Sequence, residues 1–147
     1  MAKDLYVSRL KSVPLFASLS KRELDLVLKQ ADHLRFPARY RVVREGATGE
    51  EFWMVLDGKL SVHRGGQEVA ELGPGDFFGE LAVLDPSPRD ATIVSTTPVE
   101  LLVIGRRRFW TLMEGSPTIQ RKVLVGLARR LHELDARDTA ARLAAAT

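Results

Sequence analysis

The chain has 147 residues and no cysteine, which excludes both disulfide bonds and thiolate catalysis. It has only three histidines, His33, His63 and His132, and they are widely separated in the sequence. A catalytic metal site needs histidines and carboxylates that cluster. We therefore predict a surface or interface position for each histidine. No Ser/His/Asp set and no pair of carboxylates with catalytic spacing is evident, so we predict no catalytic site.

Long apolar runs are also missing from the sequence. Nowhere do 18 apolar residues follow one another, and the first ten residues, MAKDLYVSRL, lack the apolar stretch of a signal peptide. Together with the absence of cysteine, this predicts a cytoplasmic protein with no membrane partner. With 45% hydrophobic residues, the chain is long enough to form a core, and we expect a single domain over residues 1–147.

The formal net charge of +3 hides an uneven distribution. Residues 1–50 and 101–147 carry net charges of +4 and +5, whereas residues 51–100 carry −6. A continuous basic surface for nucleic acid is therefore not indicated. The run Arg106-Arg107-Arg108 suggests either a nucleic-acid patch or a solvated helix face, and the second is the more common arrangement. In the acidic centre, Arg89 is one of only three basic residues, which calls for an explanation.

The hydrophobic pattern changes twice along the chain. Residues 1–32 read as helices, with Ser20 and Glu23 spaced as a capping box. Residues 33–104 read as short strands, with predicted hairpin turns at Asp57-Gly58 and Gly65-Gly66. Residues 105–140 read as helices again. The fold class predicted is α+β, mainly β: an antiparallel β-roll, similar to a jelly roll, flanked by N-terminal and C-terminal helices.

Residues 78–92, FGELAVLDPSPRDAT, form the most informative stretch. Gly79 lets backbone N–H groups approach an anion, and a turn running into a short helix offers several such groups. Arg89 supplies a planar fork that matches two phosphate oxygens. Glu80 is suited to accept hydrogen bonds from sugar hydroxyls. This combination predicts a site for a sugar phosphate, although a buried Glu–Arg pair that braces a loop would show the same residues.

The motif FGELA, an arginine nine positions after the glutamate, and Ala91-Thr92 resemble the phosphate-binding cassette of cyclic nucleotide-binding domains. That family includes protein kinase A regulatory subunits, cyclic-nucleotide-gated channels and the catabolite activator protein. The resemblance covers roughly residues 5–134. It implies that Glu80 binds the ribose 2′-hydroxyl, that Arg89 binds the exocyclic phosphate, and that Gly79, Leu81 and Ala82 make backbone contacts. The full set of predicted ligand-binding residues is Phe78, Gly79, Glu80, Leu81, Ala82, Pro88, Arg89, Asp90, Ala91 and Thr92.

Asp90 departs from the family pattern, which has a small residue, threonine or serine there. Its carboxylate would compete with phosphate for Arg89 or repel it, point outward without effect, or accept hydrogen bonds from a guanine edge. Of these, we expect an effect on phosphate, so that Asp90→Ala tightens cyclic AMP binding modestly.

The last helix carries Leu124, Leu127, Leu131 and Leu134 with 3-4-3 spacing. This spacing suits a helix packed on its own domain, a lid over the base, or a seam between the subunits of a homodimer. In the family, the C-terminal helix closes over the bound base. The residues expected to form such a lid are Leu124, Leu127, Arg130 and Leu131.

The resemblance predicts a regulatory module that binds a cyclic nucleotide, with cyclic AMP as the default ligand and cyclic GMP as a second choice. No cofactor, metal or enzymatic activity is expected, and the effector protein is not identifiable. Direct DNA binding is not expected, because no helix-turn-helix follows the last helix, although the chain would also fit a piece of a longer protein. The alternatives are a protein-interaction module that keeps the fold without nucleotide and, more remotely, a metal-dependent enzyme of the cupin type.

Overall fold

The computed structural model describes residues 2–146. The chain forms two compact units, one made of the residues up to Asp25 together with those from Met113 onward, the other of Leu26–Leu112. The prediction of one domain over the whole chain stays a prediction. Within the described residues, no helix is both long and apolar enough to span a membrane.

Helices lie at both ends of the chain, as predicted. Ser20 and Glu23 form the expected capping box: Glu23 Oε1 accepts from the N–H of Ser20 at 2.8 Å, and Ser20 Oγ accepts from the N–H of Glu23 at 3.2 Å. The helices are α1 (Ala2–Lys11), a 3₁₀ helix (Pro14–Phe16), α2 (Lys21–Leu28), α3 (Arg106–Glu114) and α4 (Pro117–Ala146).

The unit Leu26–Leu112 is built of antiparallel strands, which confirms the predicted β-roll class. Two four-stranded sheets have the orders β1-β10-β4-β7 and β2-β9-β5-β6, and β3 pairs with β8 in a two-stranded ribbon. The strands are β1 (Asp32–Phe36), β2 (Arg41–Val43), β3 (Thr48–Gly49), β4 (Glu51–Asp57), β5 (Leu60–Arg64), β6 (Gln67–Leu72), β7 (Phe77–Phe78), β8 (Ser87–Pro88), β9 (Thr92–Ser95) and β10 (Val99–Gly105).

One predicted hairpin is confirmed and the other is wrong. Strands β5 and β6 pair through a turn at Gly65 and Gly66, both with positive φ (57° and 81°), as a two-residue hairpin turn requires. Strands β4 and β5 do not pair with each other, because the turn at Asp57-Gly58 carries the chain from one sheet to the other. Strand β4 lies between β10 and β7, and its residues 52–56 are all buried, so both faces of the sheet are covered at this strand.

The core of this unit contains residues from both sheets. Trp53 and Val55 project into it from β4, in alternation with their neighbours as a pleated strand requires. The buried members of the core are Trp53, Val55, Leu60, Ile93, Val99, Leu101 and Val103, and Phe78 of β7 packs against them. Since Phe78 immediately precedes Gly79, the core holds the start of the predicted cassette in place.

Candidate functional site

The predicted turn and short helix of the cassette are present. Gly79 adopts a left-handed conformation (φ 76°, ψ 21°), which favours glycine, and the 3₁₀ helix Glu80–Val83 follows it directly. The helix is closed by N–H groups of Ala82 and Leu84, which donate to the carbonyl oxygens of Gly79 and Leu81, each at 3.1 Å. Trp110 Nε1 donates to the carbonyl oxygen of Val83 at 2.8 Å and so ties α3 to the end of the cassette helix.

Arg89 is fixed through its backbone by the segment before β3. Its N–H donates to the carbonyl oxygen of Ala47 at 2.8 Å, and its own carbonyl oxygen accepts from the N–H of Gly46 at 2.7 Å. The short ribbon of β3 and β8 continues this pairing, with Thr48 opposite Pro88. Strands of two residues are too short for a sequence pattern to reveal, so this support for Arg89 was not predicted.

The side chain of Arg89 is only 10% exposed and lies against the first residue of β4. Its Nη2 donates to the carbonyl oxygen of Glu51 at 2.9 Å and to the carboxylate oxygen Oε2 of the same residue at 3.2 Å. The brace considered from the sequence pairs Arg89 with Glu80 and stays a prediction; the carboxylate that the structure shows at Arg89 is that of Glu51. The sequence gives no sign of this role for Glu51, since the residue lies 38 positions before Arg89 and belongs to no recognisable motif.

Two glycines leave the space that the guanidinium of Arg89 fills. A Cβ at Gly49 would collide with Arg89 Nε and Cζ. A Cβ at Gly79 would collide with Arg89 Nη1 and would lie 2.5 Å from the carbonyl oxygen of Glu51. Gly79 was predicted to allow an anion to approach. The structure adds that it also makes room for the arginine, and that Gly49 has the same role on β3.

Asp90 points outward, in keeping with one of the three alternatives considered for it. Its side chain is 86% exposed, and its Oδ2 lies 3.2 Å from Nη2 of Arg64, at the end of β5. The backbone N–H of Glu45 donates to Thr92 Oγ1 at 2.9 Å, while the carboxylate of Glu45 accepts from the N–H of Gly65 at 3.2 Å. The end of the cassette is thus tied to the β5–β6 hairpin.

The remaining cassette residues divide into buried and exposed members. Ala82 and Ala91 are 6% and 5% exposed, whereas Leu81 is 48% exposed and Pro88 is also exposed. Glu80, the predicted ribose ligand, is the first residue of the 3₁₀ helix and is partly buried.

Phe78 is stacked on Trp53, with ring centroids 6.0 Å apart and an angle of 12° between the rings. Trp53 is only 8% exposed, and its Nε1 has no hydrogen-bond partner among the described residues.

The predicted lid residues lie on α4, outside the unit that contains the cassette. Leu124 and Leu131 are 64% and 55% exposed, Leu127 is partly buried, and Arg130 lies 3.6 Å from a carboxylate oxygen of Glu133. Their role as a lid stays a prediction.

Two further candidate sites from the sequence are the arginine run at the start of α3 and a metal site. Arg106 lies over the ring of Trp110, with 5.6 Å from its Cζ to the ring centroid, and Arg108 pairs with Asp32 at 3.2 Å. Both contacts suit the solvated helix face better than a nucleic-acid patch. Within residues 2–146, no group of three or more histidines and acidic residues is arranged to hold a metal ion.

A family model for the cyclic nucleotide-binding domain matches residues 33–116. The cyclic AMP receptor protein of Thermus thermophilus is 35% identical over 131 residues, which span 86% of this chain and 61% of that protein. The cAMP-dependent protein kinase regulatory subunit of Aspergillus niger is 34% identical over 122 residues, 82% of this chain and 30% of that protein. The chain therefore spans less than two thirds of the length of these relatives.

Among solved structures, the N-terminal domain of a transcriptional regulator from Streptomyces coelicolor is similar, with a TM-score of 0.80 and 29% identity. The match covers 88% of this chain and 94% of that domain. Residues 33–116, which the family model matches, include the β-roll from the second residue of β1 onward, the cassette around Arg89 and α3. The chain belongs to the cyclic nucleotide-binding domain family.

Proposed function

We propose that the chain is a regulatory module that binds a purine cyclic nucleotide, with cyclic AMP as the preferred ligand. The observation that carries this proposal is Arg89, a guanidinium that is 10% exposed and confined between Gly49 and Gly79. A largely buried arginine beside a glycine with positive φ is suited to a small anion that reaches it through the cassette. The names of the Thermus and Aspergillus relatives, which refer to cyclic AMP, support the choice of ligand.

In this proposal Arg89 binds the cyclic phosphate, and Glu80 accepts hydrogen bonds from the ribose. Gly79, Leu81 and Ala82 offer backbone groups to the ligand, and α4 closes as a lid through Leu124, Leu127, Arg130 and Leu131. The ligand shifts the population toward the closed state only by its difference in affinity between the open and closed states. The module itself catalyses no reaction and needs no cofactor. An effector protein responds to the movement of α4.

Isothermal titration calorimetry with cyclic AMP and cyclic GMP tests the proposal directly. We expect both to bind, cyclic AMP more tightly. A ligand that binds only the folded state adds about 2.7 kcal/mol of stability at a hundredfold excess over Kd, so the melting temperature should rise with cyclic AMP. Heat release and thermal shift that are both absent at millimolar nucleotide would contradict the proposal.

Arg89→Lys separates the geometry of the guanidinium from its charge. Loss of the planar fork should weaken cyclic AMP binding by about 10- to 100-fold, because charged hydrogen bonds contribute roughly 1.5–3 kcal/mol. Arg64→Lys is the matched control, since Arg64 is 58% exposed and pairs with Asp90 at the surface. If Arg89→Lys and the unmodified chain bound cyclic AMP with equal affinity, Arg89 would not be the residue that binds the phosphate.

A second candidate function is a protein-interaction module that keeps the fold without nucleotide. The observation in its favour is that the carbonyl and carboxylate oxygens of Glu51 already satisfy Nη2 of Arg89. The titrations distinguish the two candidates, because only this one predicts no response to either nucleotide.

A further inference from the structure

The carboxylate of Glu51 lies at the arginine that would bind the phosphate. Glu51 Oε2 is 3.2 Å from Arg89 Nη2, and the side chain of Glu51 is 45% exposed, so it has room to move. The carbonyl oxygen of Glu51 holds the same nitrogen at 2.9 Å through the backbone of β4. The arginine would therefore keep its position if the carboxylate turned away.

A phosphate that reaches Arg89 approaches this carboxylate as well. A guanidinium has five N–H donors, so Arg89 has donors left for a ligand after Glu51 is satisfied. The negative charges of the ligand and of Glu51 nevertheless repel each other, in proportion to the charge on the ligand. A cyclic nucleotide is a phosphodiester with one negative charge, whereas a phosphomonoester carries roughly −1.5 to −2 near pH 7.

We propose that Glu51 is a specificity-determining residue that selects singly charged phosphodiesters over doubly charged nucleoside monophosphates. This inference depends on the proposed function, since it concerns which phosphate the Arg89 site accepts. Repulsion by one added charge within about 4 Å corresponds to one to three powers of ten in affinity, between the dielectric of water and that of a protein surface. Glu51 would thus lower the affinity for cyclic AMP somewhat and the affinity for 5′-AMP considerably more.

Asp90 is a weaker candidate for this role. Its carboxylate is 86% exposed and faces Arg64, so solvent and a counter-charge screen it. Glu51 differs because its partner is the side chain of Arg89 itself, which is only 10% exposed.

The test is a set of titrations of the full chain and its Glu51→Gln variant with cyclic AMP, 5′-AMP and the methyl ester of 5′-AMP. The methyl ester is an open phosphodiester with one charge, so it separates the effect of charge from that of the ring. We expect Glu51→Gln to tighten 5′-AMP binding by about tenfold more than it tightens binding of cyclic AMP or of the methyl ester. Thermal melts of each variant check that the fold is kept.

Glu50→Gln is the matched control, because Glu50 is the adjacent exposed glutamate and the substitution changes net charge equally. It should alter each dissociation constant by less than about threefold. The inference would be overturned if Glu51→Gln affected all three ligands equally, if Glu51→Gln weakened binding, or if Glu50→Gln had the same effect as Glu51→Gln. Each of these outcomes would leave the proposed function intact. No binding of any ligand by any variant would overturn the proposed function together with it.

Discussion

At the residue scale, the site requires two positions without a side chain, Gly49 and Gly79, which leave room for the guanidinium of Arg89. Gly49 is buried, and a Cβ there would occupy the space of Arg89 Nε and Cζ. The backbone of Gly49 does not have a positive φ, so the requirement for glycine here is one of space only.

Gly49→Ala should therefore destabilise the fold by about 1–3 kcal/mol, the usual cost of overpacking, and should displace Arg89 and weaken cyclic AMP binding. Gly105→Ala is the control, because a Cβ at Gly105 meets nothing within 4 Å. Chemical unfolding and calorimetry measure the two effects. If Gly49→Ala and Gly105→Ala changed the free energy of unfolding and the affinity for cyclic AMP by the same amounts, the space around the side chain of Arg89 would not require a glycine at position 49.

Asp90 leads to a different expectation from the structure than from the sequence. Because its carboxylate pairs with Arg64 at the surface, it has little reason to affect a phosphate at Arg89. Asp90→Ala should change the dissociation constant of cyclic AMP by no more than about two- to threefold, as surface substitutions do. Tightening beyond that range in a titration would restore the sequence-based expectation that Asp90 opposes the phosphate.

At the element scale, the helices before and after the β-roll meet at close range. Gly126 of α4 lies against the 3₁₀ helix, where a Cβ would be 2.7 Å from the carbonyl oxygens of Pro14 and Leu15. An ion pair also joins α2 to α4, with Lys122 Nζ 2.6 Å from Glu23 Oε1. This ion pair, supported by hydrogen bonds from Ser20 and opposed by burial, lowers the pKa of Glu23.

The lowered pKa predicts how the stability depends on pH. A carboxyl whose folded pKa lies below its unfolded value stabilises the fold above the unfolded pKa, and this contribution is lost as pH falls through the folded pKa. Lys122→Met should cost ~1 kcal/mol at pH 7 and progressively less below about pH 4.5. Urea unfolding across this range measures it. The neighbouring exposed Arg121→Met serves as the control and should show no such convergence with the unmodified chain at low pH.

At the scale of the whole molecule, α4 carries more exposed large apolar residues than the other described helices. Its exposed apolar residues are Leu124, Val125, Leu131, Leu134 and Leu143, between 39% and 65% exposed. Leu124, Leu131 and Leu134 share one side of α4, because they are spaced by seven and three residues. An exposed apolar face of this kind is typical of an interaction surface, and the homodimer seam stays a prediction.

We expect the chain to self-associate through this face and the double variant Leu124→Gln, Leu131→Gln to be monomeric. Ala136→Gln with Ala140→Gln, two exposed positions on other faces of the same helix, is the control and should leave association unchanged. Sedimentation velocity at several concentrations measures the difference. A monomeric unmodified chain would leave lid formation or packing within the domain as the role of these leucines.

The sequence was sufficient to predict a turn or a helix cap wherever the residues that form it are close together in the chain. The capping box of Ser20 and Glu23, the glycine pair of the β5–β6 hairpin and the cassette glycine followed by a short helix all depend on residues within a few positions of each other. Turns and caps satisfy backbone groups nearby in the chain, so the sequence by itself determined them. It also determined the family, because the cassette motif is contiguous.

Only the tertiary structure decided the partners of these elements. The apolar residues of β4 and β5 fit a hairpin between these strands as well as they fit two separate sheets, and only the observed pairing places β4 beside β10 and β7 and β5 beside β9 and β6. The contacts of Arg89 with Glu51 and Gly49, and of Asp90 with Arg64, join residues 26 to 40 positions apart. Such contacts arise where strands are brought together by the core, and no local pattern encodes which strand that will be.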